Sequence, residues 1–355
     1  MTSMWMNFFQ PENERNHKMS VLTQAMSFLH NRMPDCLDKN KRPIILFCLG
    51  GSHAYGTNVP ESDVDLRGCA LNSKEDILGF SNFETYVDSE TDTTIYGFNK
   101  FIQLLAQCNP NVIENIGVRK EDYIADEIGQ ELIDNAHMFL SQRAAYTFGG
   151  YAFSQLRRLE NAIARDKLPQ SRKEVHIKNS IDKVITNFNR EERTSTPISY
   201  HLDVDNAVHP EFDKETFITV NLDRYPVRDL KALINDINNV IRDYENDLHG
   251  RNRKKDDYHL NKHAMHLIRL YLMAIDILEQ EKIITYREKD HDLLMDIRAG
   301  KYQHEDGTFD SAFFDMVNEL SKKMDYAKEH TSLPHSPDMK KIEEFTMDVN
   351  RRSIS

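Results

Sequence analysis

The sequence predicts an α+β protein, in which a small unit of mixed strands and helices precedes a mainly helical one. Three observations predict it. An apolar run, Ile44 to Leu49, stops at Gly50-Gly51-Ser52, as a buried strand entering a tight turn does. Strand-like stretches follow around Val64 to Leu71, Glu84 to Val87 and Asp92 to Tyr96. From Phe148 onward the apolar residues recur at helical spacing. A chain of 355 residues is long enough for two packed units, and the pattern divides it into 1–140, 141–332 and a polar tail, 333–355.

Each element rests on its own pattern. Val21, Ala25, Phe28 and Leu29 mark a helix over Ser20 to Met33. Phe101, Ile102, Leu104 and Leu105 mark another over Asn99 to Gln107, which Asn109-Pro110 ends, and a short one follows over Val112 to Ile116. In the second half, Phe148, Ala152, Leu156, Leu159 and Ile163 share one helix face. Ile177, Ile181, Val184, Ile185 and Phe188 share the next. Pro226 opens a helix through Leu230, Leu233, Ile237, Ile241 and Tyr244. Further helices run from His263 to about Glu281, from Asp292 to Arg298 with Gly300 as a cap, and from Ser311 to about Lys328. Between Thr194 and Tyr225 the helical pattern lapses, and Phe217 to Val220 reads as one arm of a hairpin.

Composition narrows the function. A net charge of −12 argues against a surface that attracts nucleic acid as a whole, so any such contact must come from local basic patches. Arg157-Arg158, the run Arg165 to Lys173, and Arg251 to Lys255 are the candidates. No apolar run approaches the length of a membrane span, and Trp5, Phe8 and Phe9 followed by Glu12, Asn13 and Glu14 lack the order of a signal peptide. Cys36, Cys48, Cys69 and Cys108 show no Cys-x-x-Cys pairing and read as reduced thiols of a cytoplasmic protein.

The chemistry concentrates near the first strand. Gly51 lets backbone approach a phosphate closely, and the Ser52 hydroxyl, at the start of a short helix, can donate to one. About ten residues on, Asp63 and Asp65 flank Val64, so on an extended chain both carboxylates point the same way. Two such carboxylates repel unless a cation lies between them, and magnesium prefers oxygen ligands and substrate phosphates.

Gly51-Ser52, then Asp63-Val64-Asp65-Leu66, resembles the signature of the DNA polymerase β-like nucleotidyltransferase superfamily. Gly-Ser-His-Ala-Tyr-Gly-Thr (51–57) and Pro60 to Gly68 are similar to the predicted nucleotidyltransferases found beside RNA ligases. So are Ile95 to Phe101 leading into Asn109 to Glu114, Lys262 to Leu270, and Asp296 to Gly300. The resemblance implies a minimal polymerase β-like domain and a helical domain closing over the nucleotide. It implies template-independent transfer of a nucleoside monophosphate from a triphosphate to an acceptor hydroxyl, with two magnesium ions for which manganese can substitute.

Residue by residue, the resemblance makes Asp63, Asp65 and Asp92 the metal-binding catalytic acids, with Glu84, Asp88 and Glu90 as substitutes for the third. Gly51 and Ser52 face the phosphates, and Arg67 pairs with Asp65 or with a phosphate. Lys262, His266 and Arg269 lie three or four apart on a helix and are assigned to the triphosphate. His259, His263 and His266 have the spacing of a zinc site, without a Glu or Cys nearby to complete it. The acceptor stays open: an RNA 3′ end, a small nucleotide in signal synthesis, or a protein in a defence or toxin–antitoxin system. The reading from another class is a nucleotide sensor or interaction partner that has lost turnover.

Overall fold

The computed structural model describes residues 22–23, 37, 40–190, 197–244 and 256–355. Most of the helix expected over Ser20 to Met33, Cys36 and the basic run Arg251 to Lys255 lie outside the described residues.

The elements begin with β1 (Ile44–Leu49), α1 (Gly51–Tyr55), β2 (Leu66–Ala70), α2 (Lys74–Leu78), β3 (Thr85–Asp88) and β4 (Thr93–Gly97). Then come α3 (Phe98–Ala106), α4 (Pro110–Ile113), β5 (Tyr123–Ala125), α5 (Glu127–Asp134), α6 (Arg143–Asp166) and α7 (Gln170–Arg190). A hairpin of β6 (Tyr200–Asn206) and β7 (Lys214–Val220) leads to α8 (Val227–Tyr244), α9 (Asp257–Gln280), α10 (His291–Arg298), α11 (Ser311–His330) and α12 (Met339–Ile354). Among the described residues no helix is long and apolar enough to cross a membrane.

The chain divides into two compact units. The first gathers the residues up to Phe153 with Met265–Asp296 and Asp315–Ser355, and the second holds Ser154–Ala264 and Ile297–Phe314. These limits differ from the boundaries at 140 and 332 that the sequence pattern suggests, because the C-terminal segments pack back onto the sheet-bearing unit.

In the first unit five strands form a mixed sheet in the order β3-β4-β2-β1-β5. β2 runs antiparallel to β1 and parallel to β4, with Leu66 opposite Leu49 on one side and Thr93 on the other. Period-two alternation gives each strand two faces. Phe47, Leu49, Leu66 and Ile95 enter one core with Val64, Ala70 and Phe83. Cys48, Arg67, Thr94 and Tyr96 occupy the opposite face. Burial pushes the Cys48 and Cys108 thiols up to about 12.

The segment read as a polar tail is helix α12. Its sequence hides an apolar stripe of Ile342, Phe345 and Val349 in a charged background, and Asp338 caps its N-terminus. Phe345 packs against Phe98 with ring centroids 6.3 Å apart, Asn350 donates to Asn99 over 2.8 Å, and Arg352 reaches Glu131 at 2.7 Å. Val349 is fully buried. Val349→Ala should therefore cost about 2 kcal/mol, the transfer of two buried methyl groups with some cavity cost. A lowered denaturation midpoint on urea titration checks it, and an unchanged midpoint would return the segment to a loosely held tail.

The second unit packs α7 on α8 and on the hairpin. Ile177, Ile181, Ile185 and Phe188 of α7 meet Leu233, Val240 and Tyr244 of α8 and Leu202 of β6. The Tyr244 hydroxyl donates to Asn161 Oδ1 at 3.0 Å and lies 2.9 Å from the Ser180 hydroxyl, which satisfies it inside the core.

Candidate functional site

Strand β1 ends at Leu49 and the chain turns through Gly50 and Gly51 into α1. Gly51 has φ +54, and a Cβ there would stand 1.9 Å from Asp65 Oδ2. The glycine therefore supplies both a left-handed backbone and the space in which the Asp65 carboxylate lies. Gly50 N–H donates to the Asp65 carbonyl over 2.8 Å, which ties the turn to the acid-bearing stretch. Gly50 occupies the N-cap position of α1, so Ser52 is not the cap. Ser52 sits half-buried in the first turn, with no side-chain hydrogen bond among the described residues.

Asp63 and Asp65 precede β2 in extended chain, and burial alternates: Asp63 exposed, Val64 buried, Asp65 half-buried, Leu66 buried, Arg67 half-buried. Asp63, Asp65 and Arg67 thus share one side. The parallel pairing of Leu66 with Thr93 sets Asp92 beside Asp65 at the entry of the neighbouring strand, and Leu66 N–H donates to the Asp92 carbonyl at 3.1 Å. Asp92 has φ +49, which Asp tolerates better than most residues, and its carboxylate is 56% exposed. Arg67 lies between the two acids. It reaches Asp65 Oδ1 at 2.9 Å, the Asp92 carbonyl at 2.9 Å and Asp92 Oδ1 at 3.9 Å.

Of the substitute acids, Glu84 lies away from this end of the sheet, whereas Asp88 pairs with Thr93 beside Asp92. Glu84 is at the other end of the strand pair, where its carbonyl accepts from Gly97 N–H and its carboxylate meets Lys100 at 3.3 Å. Asp88 accepts from the Glu90 amide at 2.9 Å and so holds the turn between β3 and β4.

Arg269 requires a correction. It is 1% exposed, stacks over the Tyr55 ring at 3.5 Å, and pairs with Glu114 at 3.2 Å. The Nη1 that meets Glu114 also reaches Met273 Sδ at 2.9 Å, and Nη2 lies 2.9 Å from His266 Nδ1. A guanidinium so enclosed does not present itself to a triphosphate, and the stripe expected to be a charged face turns inward at this position. His266 is half-buried and meets the Tyr151 ring edge-on at 5.7 Å. Lys262 is exposed and belongs to the second compact unit. For the zinc alternative, His266 Nδ1 is engaged by Arg269, and His259 Nδ1 faces Asp256 at 2.6 Å.

Tyr55 and Glu114 are the residues that sequence reasoning missed. The signal was a lone acid inside the apolar run Val112 to Ile116, since a buried carboxylate demands a partner. The Tyr55 hydroxyl donates to both Glu114 oxygens at 2.8 Å. Burial raises the Tyr55 phenol well above its usual range, Glu114 adds to the effect and Arg269 opposes it, so the hydroxyl stays a neutral donor.

Of the basic candidates outside this unit, Arg165 and Lys167 are engaged by acids, and Arg158 and Arg172 are exposed. The Arg165 fork holds Asp166 at 2.7 Å and 2.8 Å, and Lys167 meets Asp257 at 2.6 Å. Arg157 lies 3.9 Å from Asp243.

Residues 27–181 match the model of the RNA repair pathway DNA polymerase beta family. No curated protein and no solved structure matches the chain. The resemblance read from the sequence is thus shown over the segment that contains the turn, Asp63, Asp65, Asp92 and Glu114, and it supports a nucleotidyltransferase as the coarse reading. The five-stranded mixed sheet with flanking helices, followed by a helical region, is consistent with a polymerase β-like domain. Arg269 and its helix lie beyond the matched residues.

The donor set suits the magnesium that this family implies. Among the described residues no three His, Cys, Asp or Glu side chains make a ready metal centre. Magnesium is usually held by one or two carboxylates together with substrate phosphates and water, so a protein-only cage is not required. The space left by Gly51 admits the Asp65 carboxylate, and Arg67 supplies the positive charge between Asp65 and Asp92.

Proposed function

We propose that this chain is a template-independent, magnesium-dependent nucleotidyltransferase that moves a nucleoside monophosphate from a triphosphate to an acceptor hydroxyl, with an RNA 3′ end as the foremost acceptor. The observation that carries the reading is the strand register that sets Asp65 beside Asp92 at the Gly50-Gly51-Ser52 turn, within the family-matched residues.

In the transfer the acceptor oxygen forms a bond to the α-phosphorus while the bond to the pyrophosphate oxygen breaks. Ser52 and the turn amides bind the departing phosphates. Asp63 and Asp65 are assigned to the triphosphate side, and the exposed Asp92 to the acceptor side. These three carboxylates would hold magnesium, which supplies charge neutralisation and a more acidic acceptor hydroxyl. Arg67 then exchanges its carboxylate partners for phosphate charge. The net charge of −12 favours a second reading, in which the acceptor is a small nucleotide or a protein.

Incubation with each labelled triphosphate and magnesium, with and without cellular RNA, followed by mass spectrometry, tests both readings. A nucleotide-sized mass increment on RNA supports the first, and an increment on a protein or small nucleotide the second. Triphosphate binding without any product would favour the sensor instead. Gly51→Ala should slow transfer about a hundredfold, the scale of an ångström-level misplacement, because the new methyl displaces the Asp65 carboxylate. Turnover at the wild-type rate would show that this carboxylate need not lie against the turn.

A further inference from the structure

Helix α1 has five residues, too few to hold a helical orientation alone. Its direction must come from what grips its two ends. The N-terminal end is held by the bond from Gly50 N–H to the Asp65 carbonyl. The C-terminal end is gripped from far along the chain. Tyr55 is clamped between the Glu114 carboxylate and the Arg269 guanidinium. Arg287 N–H donates to the Tyr55 carbonyl at 3.0 Å. The Tyr286 ring fills the space where a Cβ of Gly56 would be, and Arg119 covers that ring at 3.5 Å. Thr285 fastens Glu114 in turn: its hydroxyl donates to the Glu114 carbonyl at 2.6 Å.

We propose that Tyr55, Glu114 and Arg269 form a buried positioning network that fixes the pitch of α1, and so aims Ser52 and the turn amides at a triphosphate. The inference rests on the reading of the Gly-Ser turn as the phosphate site. The three side chains touch no substrate and act through the backbone of Tyr55. A core of apolar residues could fill the same space with equal or greater stability, since a buried ion pair is a poor source of stability. What the ion pair and the two hydroxyl bonds add is direction. The stacked guanidinium fixes the plane of the Tyr55 ring, and the carboxylate fixes where its hydroxyl end lies. The Arg287 amide then fixes the last carbonyl of the helix.

The test combines amide hydrogen exchange over residues 51–57 with calorimetric binding of a non-hydrolysable ATP analogue in magnesium. Tyr55→Phe keeps the ring and removes only the hydroxyl, so it folds even where Arg269→Met does not. Both variants should raise exchange at Ser52 to Thr57, and weaken analogue binding, about tenfold. Arg269→Lys should restore part of the loss, because it keeps the charge without the planar fork. In a Ser52→Ala background Tyr55→Phe should add less than its full factor in the wild type, because the hydroxyl is already gone and only the turn amides remain to be aimed. Unchanged exchange at residues 51–57 in Tyr55→Phe, or losses that multiply in full with Ser52→Ala, would overturn the network. Wild-type protein that binds no analogue would overturn the phosphate-site reading, while the exchange data would still decide whether the network holds the helix.

Discussion

Asp65→Asn should abolish nucleotide transfer, with a fall of at least ~10³-fold, or about 4 kcal/mol in the barrier. The substitution keeps the size of the side chain, and the bond from Gly50 uses the backbone carbonyl of residue 65, so the turn survives. Only the charge is lost. That charge lies between Gly51 and Arg67 and beside Asp92, so no other carboxylate can take over its place. Asp63→Asn should fall similarly, since Asp63 shares its side of the chain. The measurement is the rate of labelled nucleotide incorporation across a magnesium titration, with circular dichroism to establish that the fold is kept. Incorporation within about tenfold of wild type at any magnesium concentration would refute the acid-based mechanism.

Arg269→Met should destabilise the protein by about 3–5 kcal/mol, because it leaves the Glu114 carboxylate buried without its cation. The Glu114 side chain is only 10% exposed, so water cannot replace the guanidinium. Adding Glu114→Gln should recover much of the loss, since a neutral amide can still accept from Tyr55. Urea unfolding of the two single variants and the double variant checks both statements. If Arg269→Met alone changed the midpoint by less than the equivalent of about 1 kcal/mol, the ion pair would be energetically idle.

How much of this was legible in the sequence depended on how far apart the interacting residues lie. Strand β1 was readable to the residue, because Ile44 to Leu49 is a continuous apolar run closed by two glycines. The shared side of Asp63 and Asp65 was readable because Asp63, Val64 and Asp65 declare their alternation locally. Asp92 required only a neighbouring strand. Helix α2 passed unnoticed although Ser73 and Asp76 form a capping box, because five residues carry too little periodicity. Strand β5 has three residues and exists because β1 offers it an edge. Arg269 was misread because the spacing of Lys262, His266 and Arg269 suggests a charged face. The better clue lay in its neighbours: Leu267, Ile268, Leu270 and Met273 are all buried, and a helix apolar on every side encloses whatever cation it carries.

The three-part composition of the sheet-bearing unit has a consequence for synthesis. A growing chain that has reached residue 264 already contains the turn, all three carboxylates and Glu114. It does not yet contain Arg269, Thr285, Tyr286 or Arg287, nor the helix that covers α3. Until those residues leave the ribosome, Glu114 is a carboxylate without its cation, and the Tyr55–Glu114 bond alone holds the far end of the short helix after β1. The nascent protein thus carries the turn and its neighbouring acids well before it can hold them in place.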